Sequence, residues 1–283
     1  MLRCTRSIYW TCFTLLTAVL PHATVTAQLV LPLTTPSACS MPLSVVVDPD
    51  TGVVYAGCSN NGGVKMILGS VVKPLVPASS CARPQYLYFH SGVLYVACST
   101  PIGNILAVSA DGSIRIVTTP AQCGLPTGIV GSPSGILFAT CGLTGVVSID
   151  INTGVVQVIT SSPACPSSSS LALSSGGDKL YVTCKTGTAA VLQVTIASRS
   201  VAILASGAEC STPMSVVSTP NDDILVACLN TGIIGINATA IRTVADRNTC
   251  EHPCSLALSP TQRVVYAACG FQAADGGIVA IQD

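Results

Sequence analysis

Cysteine is the residue type best supplied for chemistry in this 283-residue chain, with 15 copies. Thiols at short spacing hold zinc or run redox cycles, whereas thiols at long, regular spacing cross-link a framework. Twelve of these cysteines form six pairs. The firsts are Cys39, Cys81, Cys123, Cys165, Cys210 and Cys250, and the seconds are Cys58, Cys98, Cys141, Cys184, Cys228 and Cys269. The two members of a pair lie 17 to 19 residues apart, too far and too evenly for zinc ligand pairs. Disulfides, and therefore an oxidising compartment, are the expected use.

Other reactive groups are scarce. Beyond residue 27 the only histidines are His90 and His252, and Glu209 and Glu251 are the only glutamates. No His-x-x-x-His, Glu-x-x-His or Asp-x-Asp-x-Asp-Gly spacing occurs, and the many serines lie in turns without a paired base. No catalytic residue, metal ligand or cofactor is expected from these patterns.

The elements that carry the cysteines repeat with them. Successive first cysteines are 42, 42, 42, 45 and 40 residues apart, the period of a propeller blade. Three residues before each second cysteine stands Tyr55, Tyr95, Phe138, Tyr181, Leu225 or Tyr266. Three residues after the first stands Pro42, Pro84, Pro126, Pro213 or Pro253, with Ser168 in the fourth unit. Apolar runs of four to seven residues, rich in β-branched types and broken by Gly, Pro, Asn, Asp and Ser, predict four short strands per unit. In the third unit these are about 127–132, a strand ending at Cys141, 145–150 and 155–160.

The chain ends complete the expectation. Leu29 to Leu33 precedes Cys39 as an outer strand precedes the other first cysteines, and Gly277 to Ile281 is a third strand without a fourth. The predicted fold is all-β: a six-bladed β-propeller of four-stranded blades spanning 28–283, with 3+1 closure by the N-terminal strand.

Leu180-Tyr181-Val182-Thr183-Cys184 and Leu94-Tyr95-Val96-Ala97-Cys98 resemble the Tyr-Val-Thr-Asn segment of YVTN-type β-propeller repeats, relatives of NHL repeats. Asp48-Pro49-Asp50-Thr51-Gly52 resembles that family's turn between first and second strands. The resemblance covers Gln28 to Asp283, with cysteine where the family has asparagine or glycine. It implies the fold and leaves function open, since the family includes scaffold, surface and cofactor-binding proteins.

In an antiparallel first hairpin the start of strand a lies beside the end of strand b. The expected bridges are Cys39–Cys58, Cys81–Cys98, Cys123–Cys141, Cys165–Cys184, Cys210–Cys228 and Cys250–Cys269. Joining each second cysteine to the next unit's first is a rival that sequence leaves open. Cys254 is left over, either as a buried free thiol or as an exchange-prone one.

Arg3 and Arg6, the apolar stretch Ile8–Leu20 and Val25-Thr26-Ala27 predict a secretory signal peptide over 1–27, with an uncleaved membrane anchor as the alternative. The remainder has ten basic and twelve acidic residues and no basic stripe, which argues against nucleic acid. It has no 18-residue apolar run, so no membrane span is expected in it.

The expected product is a secreted, extracellular or cell-surface module that binds an unknown protein or glycan ligand without catalysis, through the face bearing the d–a and b–c loops. Its candidate residues are Arg83, Gln85, Tyr86, Glu209, Arg247, Glu251, His252, Phe271 and Asp275. The alternative is a calcium-dependent lactonase or gluconolactonase-like hydrolase of the six-bladed type, for which the supply of oxygen ligands is thin. Asn237-Ala238-Thr239 is a glycosylation sequon on the opposite rim.

Overall fold

Alternating turn residues and β-branched runs give 23 strands in a computed structural model that describes residues 37–282 other than 60–61, 101–102, 162–163, 166, 188, 259–263 and 271–276. Blade 1 is β1 (Pro42–Val47), β2 (Val54–Cys58), β3 (Val64–Leu68) and β4 (Val71–Val76). Blade 2 is β5 (Pro84–His90), β6 (Val93–Cys98), β7 (Asn104–Ser109) and β8 (Ile114–Thr118). Blade 3 is β9 (Pro126–Gly131), β10 (Ile136–Cys141), β11 (Gly145–Asp150) and β12 (Val156–Ser161), within one residue of the sequence expectation. Blade 4 is β13 (Ser168–Leu173), β14 (Lys179–Cys184), β15 (Ala189–Thr195) and β16 (Val201–Ser206). Blade 5 is β17 (Pro213–Ser218), β18 (Ile224–Cys228), β19 (Gly232–Ile236) and β20 (Ile241–Ala245). Blade 6 shows β21 (Ser255–Leu258), β22 (Val264–Cys269) and β23 (Gly277–Gln282).

Each blade is an antiparallel meander in chain order, five of them four-stranded among the described residues. The blades follow one another round a ring: a six-bladed β-propeller. The sixth has three described strands, and its expected closing strand, 29–33, lies outside the described residues. The signal-peptide segment 1–27 lies outside them too.

The core sits between blades. The middle strands β6, β10, β14 and β18 are almost wholly buried, because both their faces meet neighbours. Hydroxyls knit adjacent inner strands together. Ser44 Oγ accepts the Leu87 N–H at 3.0 Å, Thr127 Oγ1 donates to the Ser168 carbonyl at 2.8 Å, and Ser169 Oγ donates to the Pro213 carbonyl at 2.9 Å. Ser215 Oγ accepts the Leu256 N–H at 3.2 Å. Each such bond satisfies a part-buried polar group.

The seam between blades 6 and 1 differs. Val45 is 60% exposed, whereas its counterparts Leu87, Ile129, Leu171, Val216 and Leu256 are at most 7% exposed. Tyr266 is 45% exposed where Tyr95 and Tyr181 are 3%.

Candidate binding face

The hairpin between strands a and b builds one mouth of the ring. Its register starts with proline opposite the second cysteine, then slips by one residue: Pro42 faces Cys58 and Ser44 faces Gly57, and the same shift follows Pro84, Pro126, Ser168 and Pro213. A bulge of this kind bends the strand entry and sharpens its twist. It also brings the first cysteine back over the second.

All six bridges join the two cysteines of one hairpin. Cys39–Cys58, Cys81–Cys98, Cys123–Cys141, Cys165–Cys184, Cys210–Cys228 and Cys250–Cys269 have Cα–Cα distances of 5.0 to 5.4 Å, inside the range a disulfide spans. The inter-unit connectivity is absent. Cys254, the free thiol, stands in blade 6 where the other five hairpins carry their bulged residue. It is partly buried, its N–H bonds the Ala268 carbonyl at 3.0 Å, and burial pushes its thiol pKa up.

The second residue after the first cysteine adopts a left-handed conformation in five blades: Met41, Leu125, Ser167, Thr212 and His252 have φ between 48° and 55°. None is glycine, so each carries some backbone strain. In four of these five blades the turn is repaid locally. The carbonyls of Met41, Leu125, Ser167 and Thr212 accept the N–H of the residue after the second cysteine, at 3.0 to 3.2 Å. Arg83 accepts from Ser99 in the same way, without the positive φ. In blade 6 the Gly270 N–H goes to Glu251 instead. A disulfide, a bulge and a strained turn thus fix the same corner of blades 1, 3, 4 and 5.

The candidate residues do not all reach that face. Arg83, Glu209, Arg247 and Glu251 are exposed there. Arg247 and Glu251 share a shallow open depression with Asn248. His252 is half-buried, with Nδ1 3.8 Å from the Glu251 carboxylate. The Glu209 carboxylate is drawn into its own turn, accepting both the hydroxyl and the amide of Ser206, which lowers its pKa. Gln85 donates from Nε2 to Ser99 Oγ at 3.2 Å. Tyr86 is partly buried against the core between blades 2 and 3, and burial raises its pKa. Phe271 and Asp275 lie outside the described residues. His90 stacks against Tyr88, with ring centroids 6.1 Å apart, as a structural residue.

Sequence reading missed the apolar side chains of this face. Leu125 is 44% exposed, Leu143 70% and Met41 54%. Leu125 and Leu143 share one corner: the Gly142 N–H bonds the Leu125 carbonyl, and the Leu143 N–H bonds Gly124. The available signal was a single unit with leucine at both turn positions, where most other units carry polar residues and only Met41 and Phe271 are apolar. Among the described residues, no group of three or more His, Cys, Asp or Glu is placed to hold a metal ion. None of their helices is long and apolar enough to cross a membrane.

Solved structures share this architecture. Virginiamycin B lyase from Staphylococcus aureus matches with a TM-score of 0.67 at 17% identity, over 86% of this chain and 84% of that one. The neighbours are β-propellers of the YVTN/NHL-like type. The extracellular domain of a hybrid two-component system from B. thetaiotaomicron also gives 0.67, at 14% identity, over 86% of this chain and 34% of that chain. A chain of the nidogen/laminin complex gives 0.59 at 14% identity, over 71% of this chain and 80% of its own. At such identities the likeness carries the fold alone. No protein-family model matches the chain, and no curated protein matches its sequence.

Proposed function

We propose that this chain is a secreted propeller of the YVTN/NHL kind that acts as a non-enzymatic binding module, using its loop-rich face to hold an extracellular protein or glycan. One observation carries the reading. Leu125 and Leu143 stand exposed side by side on turns that a disulfide, a bulge and a left-handed residue hold in place. Exposed apolar side chains on rigid backbone lose little entropy when covered, which is what a recognition surface needs. Arg83, Arg247 and Glu251 supply charged groups elsewhere on that face.

Secretion is supported by the six bridges, which persist in oxidising compartments, and by the leader-like residues 1–27. The fold itself is neutral between roles, for one neighbour is a lyase and another belongs to a two-protein complex.

The test is an array of extracellular proteins and glycans probed with the secreted chain and with a Leu125→Asp/Leu143→Asp double variant. At least one feature should bind the parent and lose at least tenfold with the variant. Equal binding by both proteins would remove the face from the reading. Turnover of a lactone or ester panel that disappears on chelation would replace it with the hydrolase.

A further inference from the structure

One side chain has the same task at each packed blade interface. The residue three before the second cysteine projects from strand b toward the following blade. Tyr55 packs with Leu87 and Leu94, Tyr95 with Ile129 and Leu137, Phe138 with Leu171 and Leu180, and Tyr181 with Val216 and Ile224. In blade 5 that residue is Leu225, against Leu256 and Val265 of blade 6. Its cross-strand neighbour shrinks as well. Met66, Ala107, Ser148 and Gln193 stand opposite the four rings, and Gly235 stands opposite Leu225. Leucine lacks the outer half of a ring, and glycine contributes no side chain to compensate. A cleft of about 130 Å³ opens between blades 5 and 6, walled by Leu225, Gly235, Val244, Leu258 and Val265.

Blade 2 shows what a ring does in this setting. Tyr95 lies opposite Ala107, and Ala107 lies opposite Arg115 on the outer strand. Burial raises the Tyr95 pKa and the Arg115 charge opposes that rise. Blade 5 repeats the ladder as Leu225, Gly235 and Arg242. A Cβ placed on Gly235 would lie 3.3 Å from both Arg242 Nε and Leu225 Cδ2, so both side chains lie over the glycine. The ring is gone and the arginine is kept. Thr219 also lines the cleft, and its buried Oγ1 has no hydrogen-bond partner. An unsatisfied hydroxyl beside apolar walls costs stability until something bonds it.

We propose that this cleft is a binding site for a small monocyclic phenol, whose ring replaces the missing tyrosine ring and whose hydroxyl faces the polar mouth where Thr219, Asp223 and Arg242 lie. The size agrees, since an aliphatic cavity of roughly 150 Å³ takes a benzene ring. The site lies on the rim of the a–b and c–d turns, opposite the loop-rich face, so it stands or falls independently of the function proposed above. Asn237 of the sequon lines the same mouth.

The experiment is a titration of the full chain with p-cresol, and separately with toluene, followed by calorimetry and ligand-observed NMR. The dissociation constant for p-cresol should be about 1 mM or tighter, with toluene at least fivefold weaker. Leu225→Tyr restores the repeat's ring and should abolish saturable p-cresol binding without lowering the thermal midpoint. Thr219→Val leaves the cleft open and should weaken p-cresol at least threefold while toluene is unchanged. Equal p-cresol binding by the parent and Leu225→Tyr overturns the site. So does the absence of saturation by about 10 mM, well above the expected constant. Toluene bound as tightly as p-cresol overturns the phenol assignment. Should Leu225→Tyr fail to fold, the Thr219→Val comparison decides alone.

Discussion

Glycine at the start of strand c shows how a single position is forced by its surroundings. Gly232 has φ +110°, a region side chains avoid, and a Cβ there would collide with the Ala245 carbonyl of the strand beside it. Neither obstacle can relax, because β19 is buried along its length and Ala245 is held in the ladder. Gly232→Ala should therefore cost about 2–4 kcal/mol, read as a drop in the urea midpoint. Gly112, also at positive φ, has nothing within 4 Å of such a Cβ. Gly112→Ala meets only the backbone penalty and should cost about 1 kcal/mol. If the two substitutions cost the same, the close approach at Gly232 is not what fixes that glycine.

At the level of the hairpin, the disulfide and the turn carboxylates set stability in different ways. The Cys123–Cys141 bridge closes a span of 18 residues, worth about 3 kcal/mol through the entropy it removes from the unfolded chain. Replacing both cysteines with alanine should lower the urea midpoint accordingly and leave the strand circular-dichroism signal intact. An unmoved midpoint would mean that the bridge adds nothing to this blade. The carboxylates act through pH. The Thr51 hydroxyl at Asp48, the Thr249 hydroxyl at Asp246, and the amides of Ser113 and Thr153 at Asp111 and Asp150 all hold pKa values below the ordinary carboxylate range. Because the folded values are depressed, the stabilisation is complete above the unfolded pKa and fades as pH falls through the folded ones. Urea midpoints should show no pH dependence from these turns between pH 5 and 8, where their stabilisation is full, and a decline should begin below about pH 4. A decline starting near pH 6 would assign acid sensitivity to other groups. Much of this level was legible in the sequence: the 40-residue period, the proline and the cysteine pair placed the hairpins and their bridges. The bulge and the left-handed turns were not, because Met41, Leu125, Ser167, Thr212 and His252 share no residue type that marks a positive φ. The face list failed in part for the same reason. A bulge decides whether Tyr86 points outward or into the core, and no side-chain pattern announces it.

For the molecule as a whole, the ring is only as strong as its least packed joint. Blades 1 to 5 each offer a large apolar side chain to the blade that follows, and the receiving positions are dry. At the joint of blades 6 and 1, Tyr266 is 45% exposed and Val45 and Val47 are 60% and 50% exposed among the described residues. A side chain already in contact with water loses little when it is truncated, whereas a buried ring loses its transfer free energy and leaves a cavity. Tyr95→Ala should thus cost about 3–5 kcal/mol, and Tyr266→Ala about 1 kcal/mol or less. Chemical denaturation of the two variants, with the disulfides intact, gives the comparison. The order of the two costs matters more than their size, because unfolded-state effects are common to both tyrosines. Were Tyr266→Ala as damaging as Tyr95→Ala, this joint would be packed as tightly as the other five. If the predicted order holds, blades 6 and 1 form the joint that opens first, and hydrogen exchange should be fastest in β1, β21 and β22.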